Sequence, residues 1–311
     1  MTWFLVALIG PLLYAMTNHI DKHLLGKYFK EGGVGTLMLF SALLSVLLLP
    51  VVLVGEIIVH GHASVFSIGW GNTLALCVTG LLYALLVWSY LKALEEAEAS
   101  VTIVFYQLVP VIGYILGYFI LGETLSQMQL IAMGIIIFGT SIIAIEMDST
   151  DGFKLRRRTA MYMTTAATCW ALSSVIFKAV ALEENVWVSL FWENAMLVIV
   201  GIFFFIFIPT YRKHFLSALK NNSAAILSLN VTNEVLYMTG NVIVSFAFLM
   251  APISLVLLTE SFQPIFVLAI GVFLTIFFPD LGSEKIEAKH MIQKIIAITI
   301  TGIGTYLLLS A

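Results

Sequence analysis

The stretch AEASVTIVFYQLVPVI at residues 97–112 aligns without gaps onto APISLVLLTESFQPIF at residues 251–266. The two stretches carry an alanine, a serine and a proline at matching places, and their aliphatic residues match in kind. The same offset of 154 residues pairs Tyr83 with Tyr237. Because polar residues and a proline match in one register, chance similarity is a poor explanation. The chain is predicted to contain two copies of one structural unit.

The composition indicates which solvent surrounds these units. Of the 311 residues, 60% are hydrophobic and only 11% are charged, and the mean hydropathy is +1.03. A soluble globular chain carries roughly 25% charged residues, so this chain has too few charges to cover a water-facing surface. We therefore predict an all-α integral membrane protein, since a lipid-facing backbone must satisfy its own hydrogen bonds.

Apolar runs long enough to cross a bilayer recur along the chain. A helix needs about 20 residues to cross a hydrocarbon layer of about 30 Å. The ten predicted transmembrane helices, numbered as spans 1 to 10, are Thr2–Ile20, Val34–His60, Asn72–Lys92, Ala99–Leu121, Leu125–Ile145, Thr159–Val180, Val186–Ile208, Ala224–Leu249, Ile253–Phe278 and Ile292–Ser310. The loops between them are short, which leaves no room for a soluble catalytic domain.

The repeat divides these spans into two groups of five. We predict a first repeat at residues 1–148, a basic connecting loop at 149–158 and a second repeat at 159–311. An odd number of spans inverts the second repeat in the membrane. Inverted repeats are common in secondary transporters, which bind substrate near the midplane between the repeats. The predicted fold is therefore two inverted five-helix repeats around a central cavity.

Lysine and arginine indicate the orientation. All of the 15 basic residues except Lys178 fall in or beside the loops that follow spans 1, 3, 5, 7 and 9. Basic loops stay on the cytoplasmic side, so we predict that these loops are cytoplasmic and that both termini lie outside. Because the chain is compact, we expect a multi-pass protein of a bacterial cytoplasmic (inner) membrane.

Several short motifs resemble one transporter family. The first half contains Ala93–Leu94, Pro110 in span 4, the sequence LGE at Leu121–Glu123 and a span 5 with glycines. The second half has Pro264 and span 10 as counterparts. This pattern resembles the EamA-type members of the drug/metabolite transporter superfamily, with two EamA domains over nearly the whole chain. The second half departs from it at Phe278–Pro279–Asp280, where the first half reads LGE.

The resemblance implies a ten-helix fold whose central cavity is lined mainly by spans 1–4 and 6–9. It also implies a carrier, because members of this family transport amino acids, metabolites, cationic drugs or sugar nucleotides. The motifs do not select among these substrates.

Three glutamates lie inside predicted spans: Glu193 in span 7, Glu234 in span 8 and Glu260 in span 9. An ionisable group at the bilayer centre costs ~2.5–3.5 kcal/mol on insertion scales, and such groups usually face a cavity or a partner. We expect the three to converge in the middle-to-outer half of the bilayer. Lys178 is expected to give them no partner, because it lies near a span end, where a lysine extends its amine to the interface.

Three carboxylates without a basic partner make the predicted cavity electronegative, which favours a cationic substrate or a zwitterion with an amine. Nearby aromatic rings suit an ammonium group through cation–π attraction. Besides the three glutamates, the residues predicted to bind substrate are Tyr14, Asn18, Tyr83, Tyr106, Trp170, Trp192, Tyr237, Asn241 and Gln263. The alternative is ordinary packing for each aromatic residue, and hydrogen bonding between helices for Asn241 and Gln263.

Pro110 and Pro264 are predicted to kink spans 4 and 9, because proline removes a backbone donor inside a helix. Such paired kinks either gate the cavity or are static features of helix shape. A carboxyl group buried among like charges is also readily protonated, which leaves proton coupling open beside substrate exchange.

We therefore predict a secondary active transporter of a small polar molecule that works by alternating access. The alternatives are a broad exporter of hydrophobic amino acids or drugs and, in another class, a lipid flippase or an intramembrane enzyme on lipid-linked substrates. The expected partners are the small-molecule substrate, the lipid bilayer and protons as a coupling ion. No cofactor, metal or nucleic acid is expected, and the sequence has no G-x-x-x-x-G-K-[ST] phosphate loop. Monomer and homodimer both stay open.

Overall fold

The computed structural model describes residues 2–29, 33–96, 105–144, 157–220, 223–277 and 288–311. No strand occurs among these residues, so the all-α prediction is confirmed for the described part of the chain. In chain order the α-helices are α1 (Thr2–Lys27), α2 (Gly33–Leu44), α3 (Leu48–His60), α4 (Trp70–Glu96), α5 (Leu108–Leu121), α6 (Gln127–Ala144), α7 (Arg157–Glu183), α8 (Val186–Phe207), α9 (Pro209–Lys220), α10 (Ser223–Phe248), α11 (Ile253–Thr259), α12 (Gln263–Phe277) and α13 (Ala288–Ser310). Short 3₁₀ turns precede α3, α5 and α12 at Ser45–Leu47, Phe105–Gln107 and Glu260–Phe262.

Many of these helices have the length and composition of membrane spans. Six described segments are long and apolar enough to cross a bilayer: Thr2–Lys27, Gly33–His60, Trp70–Ala93, Arg157–Glu183, Val186–Phe207 and Ile253–Phe277. Shorter apolar helices cover Phe105–Leu121, Gln127–Ile142 and Ile295–Ser310. Helix α10 has a similar length but carries Asn230, Asn233, Glu234 and Asn241. Each predicted span overlaps one of these helices.

The side chains are distributed as a lipid solvent requires. Large apolar residues point outward, and Ile58 and Phe119 are both 77% exposed. The carboxylates in the middle of the helices point inward, and Glu234 and Glu260 are only 4% and 2% exposed. This reverses the arrangement of a soluble protein, in which charged residues cover the surface. Together with the long apolar helices, it identifies a multi-pass membrane protein.

Two predicted boundaries are wrong on the side of the basic loops. Span 1 was expected to end at Ile20, but α1 continues to Lys27, so Asp21 belongs to the helix. The extension is stabilised by Leu24, which is fully buried. The basic segment after span 7 was expected to be a loop but forms α9, which begins with Pro209 at a position where proline favours a helix start.

Three predicted features fall largely outside the described residues. They are residues 97–104 of the repeated stretch, residues 149–156 of the connecting loop and residues 278–287 of the second-half segment that departs from the family pattern. The structural description therefore covers the first copy of the repeated stretch only from Phe105 onward, and the second copy in full.

The most extensive helix contacts join the two halves of the chain. Helix α1 packs along α10, α4 packs along α7, and α6 packs along α13. Each pair takes one helix from the first half and one from the second. The interior between α1, α4, α7 and α10 is where the carboxylates and most of the predicted aromatic residues meet.

A 3₁₀ turn lies just before each of the two prolines that were predicted to kink a span. Phe105–Gln107 precedes Pro110, and Glu260–Phe262 precedes Pro264. Proline lacks an amide hydrogen and cannot complete the helical bond four residues back, which for Pro264 is to Glu260. The carbonyl of Glu260 instead accepts the N–H of Gln263 in the tighter turn. Interrupted helices are therefore a property of both halves.

Candidate functional site

Two cavities lie between the helices. The first has a volume of about 110 Å³ and is bounded by α1, α2, α4, α7, α10, the start of α12 and the 3₁₀ turn before α5. Its polar and aromatic lining consists of Tyr14, Thr17, Asn18, Asp21, Ser41, Tyr83, Tyr90, Tyr106, Trp170, Asn233, Glu234, Tyr237 and Gln263. A single water needs about 10–15 Å³ of such volume. The first cavity therefore has room for several waters or for the polar part of a small molecule.

The second cavity is smaller, with a volume of about 50 Å³. Its polar and aromatic lining consists of Tyr14, Tyr83, Trp170, Ser173, Ser174, Phe177, Glu193, Asn194, Tyr237, Asn241, Ser245, Phe248 and Glu260. Along α10, the first cavity uses residues 233–237 and the second uses residues 237–248. The two cavities therefore follow one another along the helices, with Tyr237 at their boundary.

Tyr14, Tyr83, Trp170 and Tyr237 line both cavities, and we call these four rings the aromatic layer. The centroids of Tyr14 and Tyr237 are 5.3 Å apart in a stacked arrangement, and Tyr83 lies 5.6 Å from Tyr237. Trp170 packs edge-on to Tyr14 at 6.5 Å. These distances lie within the range of favourable aromatic pairs. The aromatic layer thus separates the first cavity from the second.

A glycine on α10 makes room for this layer. A Cβ atom added to Gly240 would lie 2.8 Å from Cε1 of Tyr14. Any side chain at this position would therefore push the ring out of its stacking position, and the close approach of α1 to α10 depends on the glycine.

The first cavity holds two carboxylates with few partners. The side-chain amide of Asn233 donates to Asp21 Oδ1 at 2.8 Å. The Ser45 hydroxyl donates to Glu234 Oε1 at a longer 3.4 Å. Glu234 is buried and Asp21 is half-buried. Each carboxylate keeps acceptor capacity that the described residues do not fill, because an ionised carboxylate can accept about four hydrogen bonds.

Amide groups in the first cavity also have unused hydrogen-bonding atoms. Tyr90 donates its hydroxyl to Asn18 Oδ1 at 3.2 Å, but Asn18 Nδ2 has no partner among the described residues. The side-chain oxygens of Asn233 and Gln263 are also buried without a partner there. Buried polar groups are normally satisfied, so these atoms favour a cavity that receives a polar ligand.

The second cavity holds the other two glutamates. Glu193 accepts a hydrogen bond from the Ser173 hydroxyl at 3.3 Å. Glu260 is 2% exposed, and neither of its carboxylate oxygens has a partner among the described residues. An unpaired buried charge is strongly unfavourable, so Glu260 is the most exceptional polar group in the interior.

Lys178 does not extend to the membrane interface as expected. Its side chain is 6% exposed and forms an ion pair with Glu123, the acidic residue of the LGE motif. It also donates to the carbonyl of Ala251 at 2.7 Å, while Glu123 accepts the backbone N–H of Ile253 at 2.6 Å. The lysine is retained in the interior because these acceptors satisfy its charge. No lysine or arginine occurs among the described residues that line either cavity.

The predicted site residues are largely brought together, with two corrections. All of them line one of the cavities except Trp192, whose indole N–H donates to the carbonyl of Val65 at 2.7 Å and fixes the ring away from the cavities. The three glutamates do not converge at one point. Glu234 lines the first cavity, whereas Glu193 and Glu260 line the second.

The two prolines lie outside both cavities, and two polar residues near Pro264 lie in different cavities. Pro110 and Pro264 are buried but line neither cavity. Glu260 and Gln263 are three residues apart, yet Glu260 lines the second cavity and Gln263 the first. One helical turn separates them along the chain, and this distance is enough to put them on opposite sides of the aromatic layer.

Sequence reasoning missed Asp21 and Asn233. The signal for Asp21 was present, because Tyr14, Asn18 and Asp21 follow the i, i+4, i+7 spacing of one helix face. It was overlooked because span 1 was ended at Ile20. Asn233 lies next to Glu234 in the sequence, and only its hydrogen bond to Asp21 reveals its role.

Comparison with known proteins agrees with these features. Residues 1–145 match the model of the EamA-like transporter family. A solved crystal structure, described only as that of a protein, is similar with a TM-score of 0.62 and 15% sequence identity, over 99% of this chain and 97% of the other. At this identity the likeness supports the fold alone. None of the curated proteins matches the chain.

The family in question consists of membrane transporters of small molecules, not of enzymes. The resemblance drawn from the LGE motif and the proline-containing span 4 is therefore confirmed for residues 1–145, the part of the chain that matches the EamA-like transporter family.

Proposed function

We propose that the chain is a secondary active transporter that carries a small cationic or zwitterionic molecule by alternating access. The observation that carries this proposal is the charge of the two cavities. Four carboxylates line them, and no lysine or arginine does so among the described residues. The family match supports transport of a small molecule, and the cavity charge supports the choice of substrate.

The first cavity suits a protonated amine. An ammonium group there would meet the carboxylates of Asp21 and Glu234 and the ring faces of the aromatic layer. Cation–π contacts contribute about 0.5–2 kcal/mol, with the larger values in desolvated sites. The unpartnered oxygens of Asn233 and Gln263 add neutral acceptors for the N–H groups of the amine.

A zwitterion would find one additional partner. The unpartnered amide nitrogen of Asn18 lines the same cavity and can donate to a substrate carboxylate. A strongly anionic cargo, such as a sugar phosphate, is disfavoured. Lys178 is already paired with Glu123, and Lys22 is exposed at the end of α1. Neither lysine therefore offers its charge to the cavity.

The inverted repeat is supported by the way the helices pair. The sequence offsets equate α1 with α7, α4 with α10 and α6 with α13. The contact of α1 with α10 then corresponds to the contact of α7 with α4, and α6 packs on its own counterpart. A pseudo-two-fold axis in the membrane plane produces this pattern. The matching 3₁₀ turns before α5 and α12 fit the same axis.

Two cavities in series support alternating access. The first cavity lies toward the basic C-terminal end of α1, which we propose is cytoplasmic under the positive-inside rule in an inner membrane. The second lies toward the opposite face, and the aromatic layer blocks passage between them. In this proposal the two five-helix repeats rock about the layer, so that substrate reaches the first cavity from one side and leaves through the second. Glu193, which lines the second cavity, would provide a carboxylate along this route.

A thermal-shift screen on purified protein tests this function. The library contains primary amines, quaternary ammonium compounds, amino acids and sugar nucleotides, each added to wild type, Glu234→Gln and Glu56→Gln. Glu56 is a matched control, because it is fully buried and lines neither cavity. A ligand at 100 times its Kd stabilises the folded state by about 2.7 kcal/mol.

We expect amines or zwitterions to raise the melting temperature of wild type and of Glu56→Gln, and to lose this effect with Glu234→Gln. Stabilisation by anions only, or by amines equally in all three proteins, would contradict the proposed substrate charge. The comparison uses the ligand-induced shift within each protein, so a general loss of stability in one variant does not obscure it.

A further inference from the structure

We propose that Glu260 in the second cavity is the coupling-proton site of this transporter, separate from the amine site in the first cavity. The inference rests on the proposed transport function. It assigns different roles to carboxylates that look equivalent in the sequence, and the argument begins with the surroundings of Glu260.

Glu260 is the only carboxylate lining the cavities for which neither oxygen has a hydrogen-bond partner among the described residues. Its side chain is 2% exposed. An ionised carboxylate in such a place would have neither a hydrogen-bond donor nor a basic side chain beside it among the described residues, and this costs far more than burial of a neutral acid. The buried carboxyl group is therefore held in its neutral form, with a proton on one oxygen, or it binds a cation.

The size of the second cavity restricts which cation can bind at Glu260. Its volume of about 50 Å³ is less than half that of the first cavity, so it admits only a few waters. The aromatic layer separates it from the first cavity, and Gly10 leaves no room for a side chain beside Glu260, because an added Cβ would lie 2.3 Å from Val244 Cγ2 and in van der Waals contact, at 3.5 Å, with Glu260 Oε1. A metabolite does not fit around Glu260 in this state.

A metal ion fits these surroundings less well than a proton. Hard cations require several oxygen ligands at once, and the structure shows no such set of side-chain ligands around Glu260 among the described residues. No cluster of three His, Cys, Asp or Glu residues suited to a metal occurs elsewhere in the described part of the chain either. A proton needs a single oxygen, which Glu260 supplies alone.

The groups facing Glu260 can be named from each neighbouring helix. They are Tyr14 on α1, Tyr83 on α4, Tyr106 in the 3₁₀ turn before α5, Glu193 on α8 and Tyr237 on α10. None of them is a base with a positive charge. Glu193 is stabilised by Ser173, and two ionised carboxylates in one small cavity repel each other. The proton is therefore assigned to the carboxylate that lacks a hydrogen-bond donor.

The position of Glu260 connects its proton to helix movement. Glu260 is the first residue of the 3₁₀ turn between α11 and α12, four residues before Pro264. A 3₁₀ segment within a helix often marks a hinge, and discontinuous helices form ion sites in many transporters. When the O–H bond of Glu260 breaks, the proton passes to water and a carboxylate remains. That carboxylate requires hydration, which favours a conformation in which the second cavity opens.

Infrared difference spectroscopy tests the assignment without any substrate. The purified protein is titrated with protons, and the C=O stretching band of protonated carboxylic acids is followed in wild type, Glu260→Gln, Glu260→Asp and the buried control Glu56→Gln. We expect wild type to show a band that disappears reversibly as the pH is raised. The band should be lost in Glu260→Gln, displaced in frequency in Glu260→Asp and retained in Glu56→Gln.

The absence of a titrating band from wild type would overturn the proposal, whatever the variants do. A band that persists unchanged in Glu260→Gln and Glu260→Asp would overturn it as well, because the proton would lie on another residue. The outcome is independent of the amine screen. A titrating Glu260 without amine binding would refute the proposed substrate alone, and amine binding without the band would refute the proton site alone.

Discussion

Replacement of Lys178 by methionine removes the charge of the buried ion pair while keeping a side chain of similar length. The pair is well shielded, with 6% exposure of the Lys178 side chain and 18% of the Glu123 side chain. Breaking a buried pair by removing one partner costs about 3–5 kcal/mol. Glu123 retains the N–H of Ile253 and some exposure, so we expect the lower end of that range, about 3 kcal/mol. At about 2 °C per kcal/mol for a chain of this size, the melting temperature should fall by roughly 6 °C.

Two further variants make this prediction refutable. The double variant Lys178→Met with Glu123→Met replaces the pair by apolar groups, which is often nearly neutral, so it should recover most of the lost melting temperature. Lys22→Met is the matched control, because Lys22 is also a lysine of a long apolar helix but is exposed. Such surface changes are usually within about 0.5 kcal/mol. An unchanged melting temperature in Lys178→Met would refute the reasoning. So would a double variant whose melting temperature falls by the sum of the decreases measured for Lys178→Met and Glu123→Met.

Three other variants test separate parts of the structure. Gly240→Ala puts a methyl group 2.8 Å from the Tyr14 ring. We expect this overpacking to reduce the free energy of unfolding by about 1–3 kcal/mol and to weaken amine binding in the thermal-shift assay. Unchanged amine binding would argue against a role of the aromatic layer in binding. Trp192→Phe removes the hydrogen bond to the Val65 carbonyl. It should reduce stability in thermal unfolding by about 1 kcal/mol and leave amine binding intact. A loss of amine binding would show that Trp192 contributes to the binding site. Pro264→Ala should slow substrate exchange in proteoliposomes, because the interrupted helix is predicted to gate the cavity. Exchange at the wild-type rate would show that the interruption is a static feature of helix shape.

The composition and the repeat were sufficient to predict the helical fold. Each predicted span overlaps a helix because a lipid-facing segment must satisfy its own backbone hydrogen bonds, which makes apolar length a reliable signal. Helix ends were less predictable. Helix α1 continues past Ile20 because Leu24 finds a buried position, and that position depends on neighbouring helices instead of local sequence.

The candidate site was predicted in part. Glu193, Glu234 and Glu260 were visible because a charge within an apolar run is expensive and rarely accidental. Their division between two cavities was not visible, since it depends on how α8, α10 and the 3₁₀ turn before α12 face one another. The pairing of Lys178 with Glu123 joins residues from opposite halves of the chain. No local sequence pattern around either residue predicts this ion pair.

Transport measured directly is the strongest test of the claim that the interior carries cations. Wild type and Glu234→Gln are reconstituted in proteoliposomes, and counterflow is measured with radiolabelled members of a panel of amines, zwitterionic amino acids and sugar phosphates. The account predicts that at least one amine or zwitterion accumulates in wild-type vesicles and that Glu234→Gln abolishes this uptake. Uptake of sugar phosphates alone, or of an amine to the same extent with both proteins, would contradict it.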